Sequence, residues 1–249
     1  EERALMTAGE LKEIQSAELA AVMGPYVGVA IFLFFLWILM AFCRMPTTAD
    51  TDSSLNLGPT LKRLLKNRNY VLGVLAQFFY VGAQIGVWSF TIRYVMQERH
   101  MNEEQASTYY LAALILFVSA RFICTGLMKY VSPGFLLTFL SFLAIGCCLG
   151  VIYVGGQVGV IALVGISGCM SLMFPTIYGL AVRGLGEDTK IGGSGLIMAI
   201  LGGAVITALQ GQVSDMAGSI NLAYWVPLLC FVTIAVYGVL CLKNRHQTA

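Results

Sequence analysis

Seven almost wholly apolar stretches follow one another along the chain, at about 26–43, 69–95, 105–128, 134–153, 157–182, 191–213 and 222–242, with mostly short polar breaks between them. A helix needs about 20 apolar residues to cross the ~30 Å hydrocarbon core of a bilayer. Seven such runs in 249 residues leave room for little else, so the chain reads as an all-α integral membrane protein with the lipid bilayer as its main partner. Composition agrees, with 58% hydrophobic and only 11% charged residues and a mean hydropathy of +0.79, where a soluble domain carries roughly 25% charge. A net charge of +2 gives no sign of a nucleic-acid partner.

The polar stretches divide the chain. Residues 1–24 have helical periodicity, with Leu11, Ile14, Leu19 and Val22 among Glu10, Lys12, Glu13 and Glu18, and read as an external loop with a short helix that ends at Gly24-Pro25. Span one occupies 25–44 and stops at Arg44 and Pro46. Residues 45–68 form the one long connector, acidic at Asp50 and Asp52, then basic at Lys62, Arg63, Lys66 and Arg68. A connector of this length and polarity marks a boundary between two units. The six spans of 69–243 and a tail at 244–249 follow. Lys and Arg place the connector and tail on the cytoplasmic side: Arg44, Lys62, Arg63, Lys66, Arg68, Lys129, Arg183, Lys190, Lys243 and Arg245 follow odd-numbered spans, whereas only Arg3, Lys12, Arg93 and Arg99 lie on the opposite side. The chain begins Glu1-Glu2-Arg3, with neither an initiator Met nor a signal peptide. An external start of that kind is expected of a fragment of a longer polypeptide.

Polar groups are costly in hydrocarbon, so those inside the spans mark candidate sites. Spans one and four have almost none and are expected to face lipid. Span two carries Gln77, Tyr80, Gln84 and Trp88, which fall on one stripe at 3.6 residues per turn. Amides can bond to neighbouring hydroxyls and aromatic faces can pack on C–H surfaces, so this stripe suits a sugar. Interhelical hydrogen bonding, at about 0.6 kcal/mol per bond, accounts for each residue alone. The four together favour a cavity lining. Span five holds Ser167, Cys169, Ser171, Phe174, Thr176 and Tyr178, and Pro175 predicts a kink there. Gly82/Gly86, Gly146/Gly150 and the glycines of span six read as close helix packing.

None of the 13 acidic residues lies mid-span, so an intramembrane proton carrier is not expected in this chain. Arg93 and Arg121, the deepest cations, read as anchors within reach of an interface. The seven cysteines sit in or beside apolar runs without CxxC or Cys/His spacing, which points away from disulfides, metals and cofactors. No His/Asp/Glu/Cys cluster suggests a membrane enzyme or a catalytic residue.

One span, a basic connector and six more spans match the end of one six-helix half and the whole of a second, the architecture of major facilitator transporters. A free-standing seven-helix receptor would not need the long connector after its first span. AQFFYVGAQIGVWSFTIRY (76–94), SARFICTG (119–126), SLMFPTIYGLAVRGLGEDTKIGGS (171–194) and SDMAG (214–218) resemble the fucose–galactose–glucose:proton symporter family of that superfamily. The resemblance runs from about 25 to 241 and covers the last seven of twelve helices. It implies proton-coupled monosaccharide import across a bacterial inner membrane by alternating access. Gln77, Tyr80, Gln84, Trp88, Phe174 and Tyr178 are the expected sugar contacts, and the proton site is expected in the missing N-terminal half. Members often carry Tyr where this chain has Phe174, which leaves fucose, galactose and glucose all open. A transport-inactive sugar sensor and an exporter on the same helices are the alternatives.

Overall fold

The structure, a computed structural model, describes residues 8–42 and 57–246. The sequence readings that fall on 1–7, on 43–56 (the stop at Arg44 and Pro46 and the acidic part of the connector) and on 247–249 lie outside the described residues. The chain divides into two units, Glu1–Leu55 and Asn56–Ala249.

The first unit holds α1 (Ala8–Phe42), which is continuous through Pro25. The break predicted at Gly24-Pro25 does not occur. A proline inside a helix costs about 3 kcal/mol, but ending a helix beside a lipid-spanning segment would strip several backbone groups of their partners, which costs more. No residue of its apolar window, within Met23–Phe42, is buried.

The second unit starts with a short amphipathic helix, α2 (Leu57–Lys66), where the sequence suggests only connector. Asn67 then turns the chain and caps α3 (Arg68–Arg99), its side chain accepting from the Tyr70 N–H at 3.2 Å. The remaining helices are α4 (Glu103–Leu127), α5 (Pro133–Tyr153), α6 (Gly156–Met170), α7 (Met173–Val182), α8 (Thr189–Met198), α9 (Gly202–Ala217), α10 (Ile220–Ala223) and α11 (Trp225–His246). Among the described residues seven segments are long and apolar enough to cross a membrane, with α6–α7, α8–α9 and α10–α11 each forming one crossing.

Helix α3 is the axis of this unit and packs on α4, α6, α7, α9 and α11. Its Gly82 and Gly86 face Ile206 and Gln210 of α9, the close approach that their spacing predicts. Gly146 of the second such pair faces open space and brings no helix closer. The lipid-facing expectation for span four is also overturned. Half of the apolar window of α5 is buried, against 11% of that of α4. Among lipid tails an apolar surface gains nothing by facing outward, so fit decides. The small residues Gly134, Ser141, Ala144 and Cys148 lie on the buried face of α5, which packs against α6 and α11.

Polar ties close both ends of the unit. At one end Arg63 of α2 grips Asp188, Nε to Oδ2 at 2.9 Å and Nη2 to Oδ1 at 2.7 Å, a paired geometry that favours Arg over Lys. The hydrogen bonds that Arg63 donates to the Asp188 carboxylate raise the Arg63 pKa above its ordinary value. At the other end the Glu98 carboxylate accepts from the Gly156 N–H, at the start of α6, and from Asn221 Nδ2 at 2.8 Å.

The tightest approach in the bundle is at Gly202, where a Cβ would collide with the Phe78 carbonyl oxygen. We expect Gly202→Ala to destabilise the protein by about 1–3 kcal/mol, as overpacking does. Gly203→Ala, which would meet only the side chains of Ile85 and Val81, at 3.1 and 3.3 Å, should cost distinctly less. Thermal unfolding in detergent checks this, and equal midpoints for the two variants would contradict the α3–α9 contact.

Candidate functional site

The centre of the unit is built around an interruption in span five. Helix α6 stops at Met170 and α7 starts at Met173. The sequence predicts a kink at Pro175, yet the break falls at Ser171 and Leu172. The reason is the direction of helical bonding. Proline has no N–H to give to the carbonyl four residues behind it, so the bond that is lost belongs to Ser171, whereas Pro175 sits in the first turn of α7, where no N–H partner is required.

Two neighbouring helices repair the gap. Arg121 of α4 donates from Nε to the Ser171 carbonyl at 3.1 Å, and the Tyr80 hydroxyl of α3 donates to the Met170 carbonyl at 3.0 Å. Arg121 also lies 5.3 Å from the ring centroid of Phe117, one turn earlier on its helix. Its reading as an interface anchor therefore misses what it holds. The signal was available as the carbonyl freed by Pro175, but only the packing of α4 against α6 supplies the donor.

The polar stripe of α3 does not line open space along its whole length. Gln77 and Tyr80 are both fully buried, at 0% exposure, because that part of α3 lies under α7 and the interruption. The Tyr80 ring meets Phe174 edge-on at 6.1 Å. Neither amide atom of Gln77 nor the Thr176 hydroxyl has a protein partner. Gln84 and Trp88, one and two turns further along, are half-buried. Trp88 Nε1 donates to Ser167 Oγ at 3.2 Å, and its ring meets Phe117 edge-on at 5.1 Å. On α7, Phe174 and Tyr178 are half-buried and border Pro175 and Gly179, which are exposed.

Chemically, these residues fall into two kinds. The Trp88 N–H already has a partner, so what this half-buried residue can offer a ligand is ring surface, whereas Tyr80 is fully buried and its hydroxyl is taken by the Met170 carbonyl. Gln84 and Tyr178 retain hydrogen-bonding capacity at half-buried positions, though Tyr178 lies towards the end of α7, against the cluster of Leu64, Tyr70, Ala181 and Leu196. An aromatic surface with a few polar groups suits a small polyhydroxylated molecule. By contrast, a groove of about 390 Å³ between α5 and α11 is walled by apolar side chains such as Phe142, Ile145, Val232 and Val236, which suits an acyl chain and not a sugar. No cluster able to hold a metal ion occurs among the described residues.

The repair of the interruption can be tested with a double-mutant cycle. Pro175→Ala restores an N–H that can serve the Ser171 carbonyl, so Arg121→Gln should cost less in that background than in the natural one. We expect a coupling of about 1 kcal/mol, the net value of one such bond. Strictly additive effects on unfolding would mean that Arg121 does not compensate for the proline.

Comparison with known proteins now adds to this geometry. The chain is 35% identical over 239 residues to the L-fucose-proton symporter of Haemophilus influenzae, a match that covers 94% of this chain and 56% of that protein. It is 31% identical over 234 residues to the glucose/galactose transporter of Brucella abortus biovar 1, covering 92% of this chain and 56% of the relative. The chain thus spans a little over half the length of the relatives it matches. Among solved structures it is similar to the Major Facilitator Superfamily transporter FucP in the outward conformation, with a TM-score of 0.84 and 33% identity over 97% of this chain and 60% of that one. The Major Facilitator Superfamily profile matches residues 19–208, well over half of the sequence, so the chain belongs to the Major Facilitator Superfamily.

Proposed function

We propose that this chain is the C-terminal portion of a proton-coupled monosaccharide importer of the fucose–galactose–glucose:proton symporter family, working by alternating access in a bacterial inner membrane. The observation that carries the reading is the match, along 94% of the chain, to an L-fucose-proton symporter. The aromatic and amide groups gathered on α3 and α7 support it, since they suit a sugar ring and its hydroxyls. Sugar contacts are assigned to Gln84, Trp88, Phe174 and Tyr178 at the half-buried surface. Tyr80 holds the Phe174 ring and the interruption in place beneath them. Gln77 contributes only if the interruption moves to uncover it, and its unpartnered amide is the group that would gain most from a ligand hydroxyl.

The proton site is assigned to the helices that the relatives have beyond this chain. Within the described residues Glu98 is held at the end of α3 and Asp188 is paired with Arg63, so neither stands mid-span. The basic excess places the connector, α2 and the C-terminus on the cytoplasmic side.

In the full-length transporter, Gln84→Ala should weaken sugar uptake at least about tenfold, as expected when a buried hydrogen-bonding group loses its partner. Uptake of radiolabelled fucose, galactose and glucose into cells checks this and identifies the preferred sugar. Unchanged apparent affinity and rate for all three would remove Gln84 from the site.

A further inference from the structure

Helix α2 is divided into four faces, and only two of them are used among the described residues. At 100° per residue, Thr60 and Leu64 share one face, which is packed inward. Leu64 is 1% exposed and clusters with Tyr70, Ala181 and Leu196. Arg63 occupies a second face and is committed to Asp188 and to the Thr60 hydroxyl. The third face carries Leu61 and Leu65, which are 54% and 63% exposed. The fourth carries Lys62 and Lys66, both exposed, with exposed Arg68 just beyond at the start of α3.

The position of the helix gives these faces a meaning. It does not prolong α3, because Asn67 between them is extended, at φ −78° and ψ 103°. Leu64 and Tyr70 both close on Gly192, so α2 is folded over the ends of α7 and α8, where the apolar crossing begins. Two leucines and two lysines side by side on a helix at that depth form an interfacial element. The leucines can enter the acyl boundary while the lysine stems extend sideways to the headgroups. Residues 57–68 contribute four cations and no Asp or Glu, and the neighbouring carboxylates, Asp188 and Glu187, act on Arg63.

We propose that α2 binds anionic phospholipid headgroups on its own side of the membrane, through Lys62, Lys66 and Arg68, with Leu61 and Leu65 seated in the lipid. The occupant is lipid and not a protein segment because the apolar pair and the basic pair lie side by side at the boundary between hydrocarbon and headgroups. That is the arrangement of a surface-lying amphipathic helix. Arg63 and Asp188 then serve as a clamp that keeps this face turned to the bilayer.

The test is native mass spectrometry of the purified chain in mild detergent, titrated with phosphatidylglycerol or with phosphatidylcholine of the same acyl chains. The natural sequence should retain phosphatidylglycerol at least about fivefold better, the effect expected from one or more headgroup contacts. K62Q/K66Q/R68Q should lose that preference, and L61S/L65S should weaken the retention of both lipids, with helix content by circular dichroism unchanged in each. Equal retention of the two lipids by the natural chain would overturn the proposal, as would a preference that survives K62Q/K66Q/R68Q. Joining the chain to the N-terminal segment of the Haemophilus influenzae relative should leave the preference intact. Its loss there would assign this face to protein and also overturn the proposal.

Discussion

Pro175 has no N–H for the carbonyl of Ser171, and in hydrocarbon that carbonyl cannot turn to water. The need to satisfy it brings three spans together. Arg121 reaches across from α4, Tyr80 from α3 secures the neighbouring Met170 carbonyl, and span five becomes two helices whose meeting point lies at the centre of the bundle. The contacts proposed on α7 depend on this arrangement. Phe174 and Tyr178 take their positions from the first turns of α7, and the Tyr80 ring that supports Phe174 is fixed by the bond its hydroxyl makes to the interruption.

The close packing of α3 belongs to the same account. Helices in lipid are held by fit and not by expulsion of water, so the axial helix carries glycine where α9 approaches, and Gly202 of α9 lies against the backbone of α3. That closeness leaves α3 little lateral freedom. On the side that faces α7, its polar stripe splits into a sealed portion at Gln77 and Tyr80 and a half-open portion at Gln84 and Trp88. A surface of this kind keeps its free hydrogen-bonding capacity at a few points, the half-buried Gln84 among them.

Much of this was legible in the sequence. All seven crossings were readable from hydropathy alone, because length and apolarity report directly on the thickness of a bilayer. The packing role of Gly82 and Gly86 followed from spacing. Helix α2 and the continuity of α1 through Pro25 were not read from the sequence, and three further features were not legible because each depends on contacts between distant residues. The break at Ser171 is displaced from Pro175 by the four-residue reach of a helical bond, and its partner Arg121 lies 50 residues away in sequence. Burial of α5 could not be read from its lack of polar groups, since an apolar helix in a membrane suits lipid and protein alike. Burial of Gln77 likewise depends on α7 covering it, whereas the stripe pattern says only that Gln77, Tyr80, Gln84 and Trp88 share one face.

The central claim is that this chain supplies the sugar-contacting portion of a symporter whose proton site lies in helices outside it. Sugar-driven proton uptake into proteoliposomes tests that most directly, comparing this chain alone with this chain joined to the N-terminal segment of the Haemophilus influenzae relative. The account predicts no uptake by the chain alone and sugar-dependent alkalinisation of the medium by the joined protein. Proton uptake driven by sugar through this chain alone would contradict it.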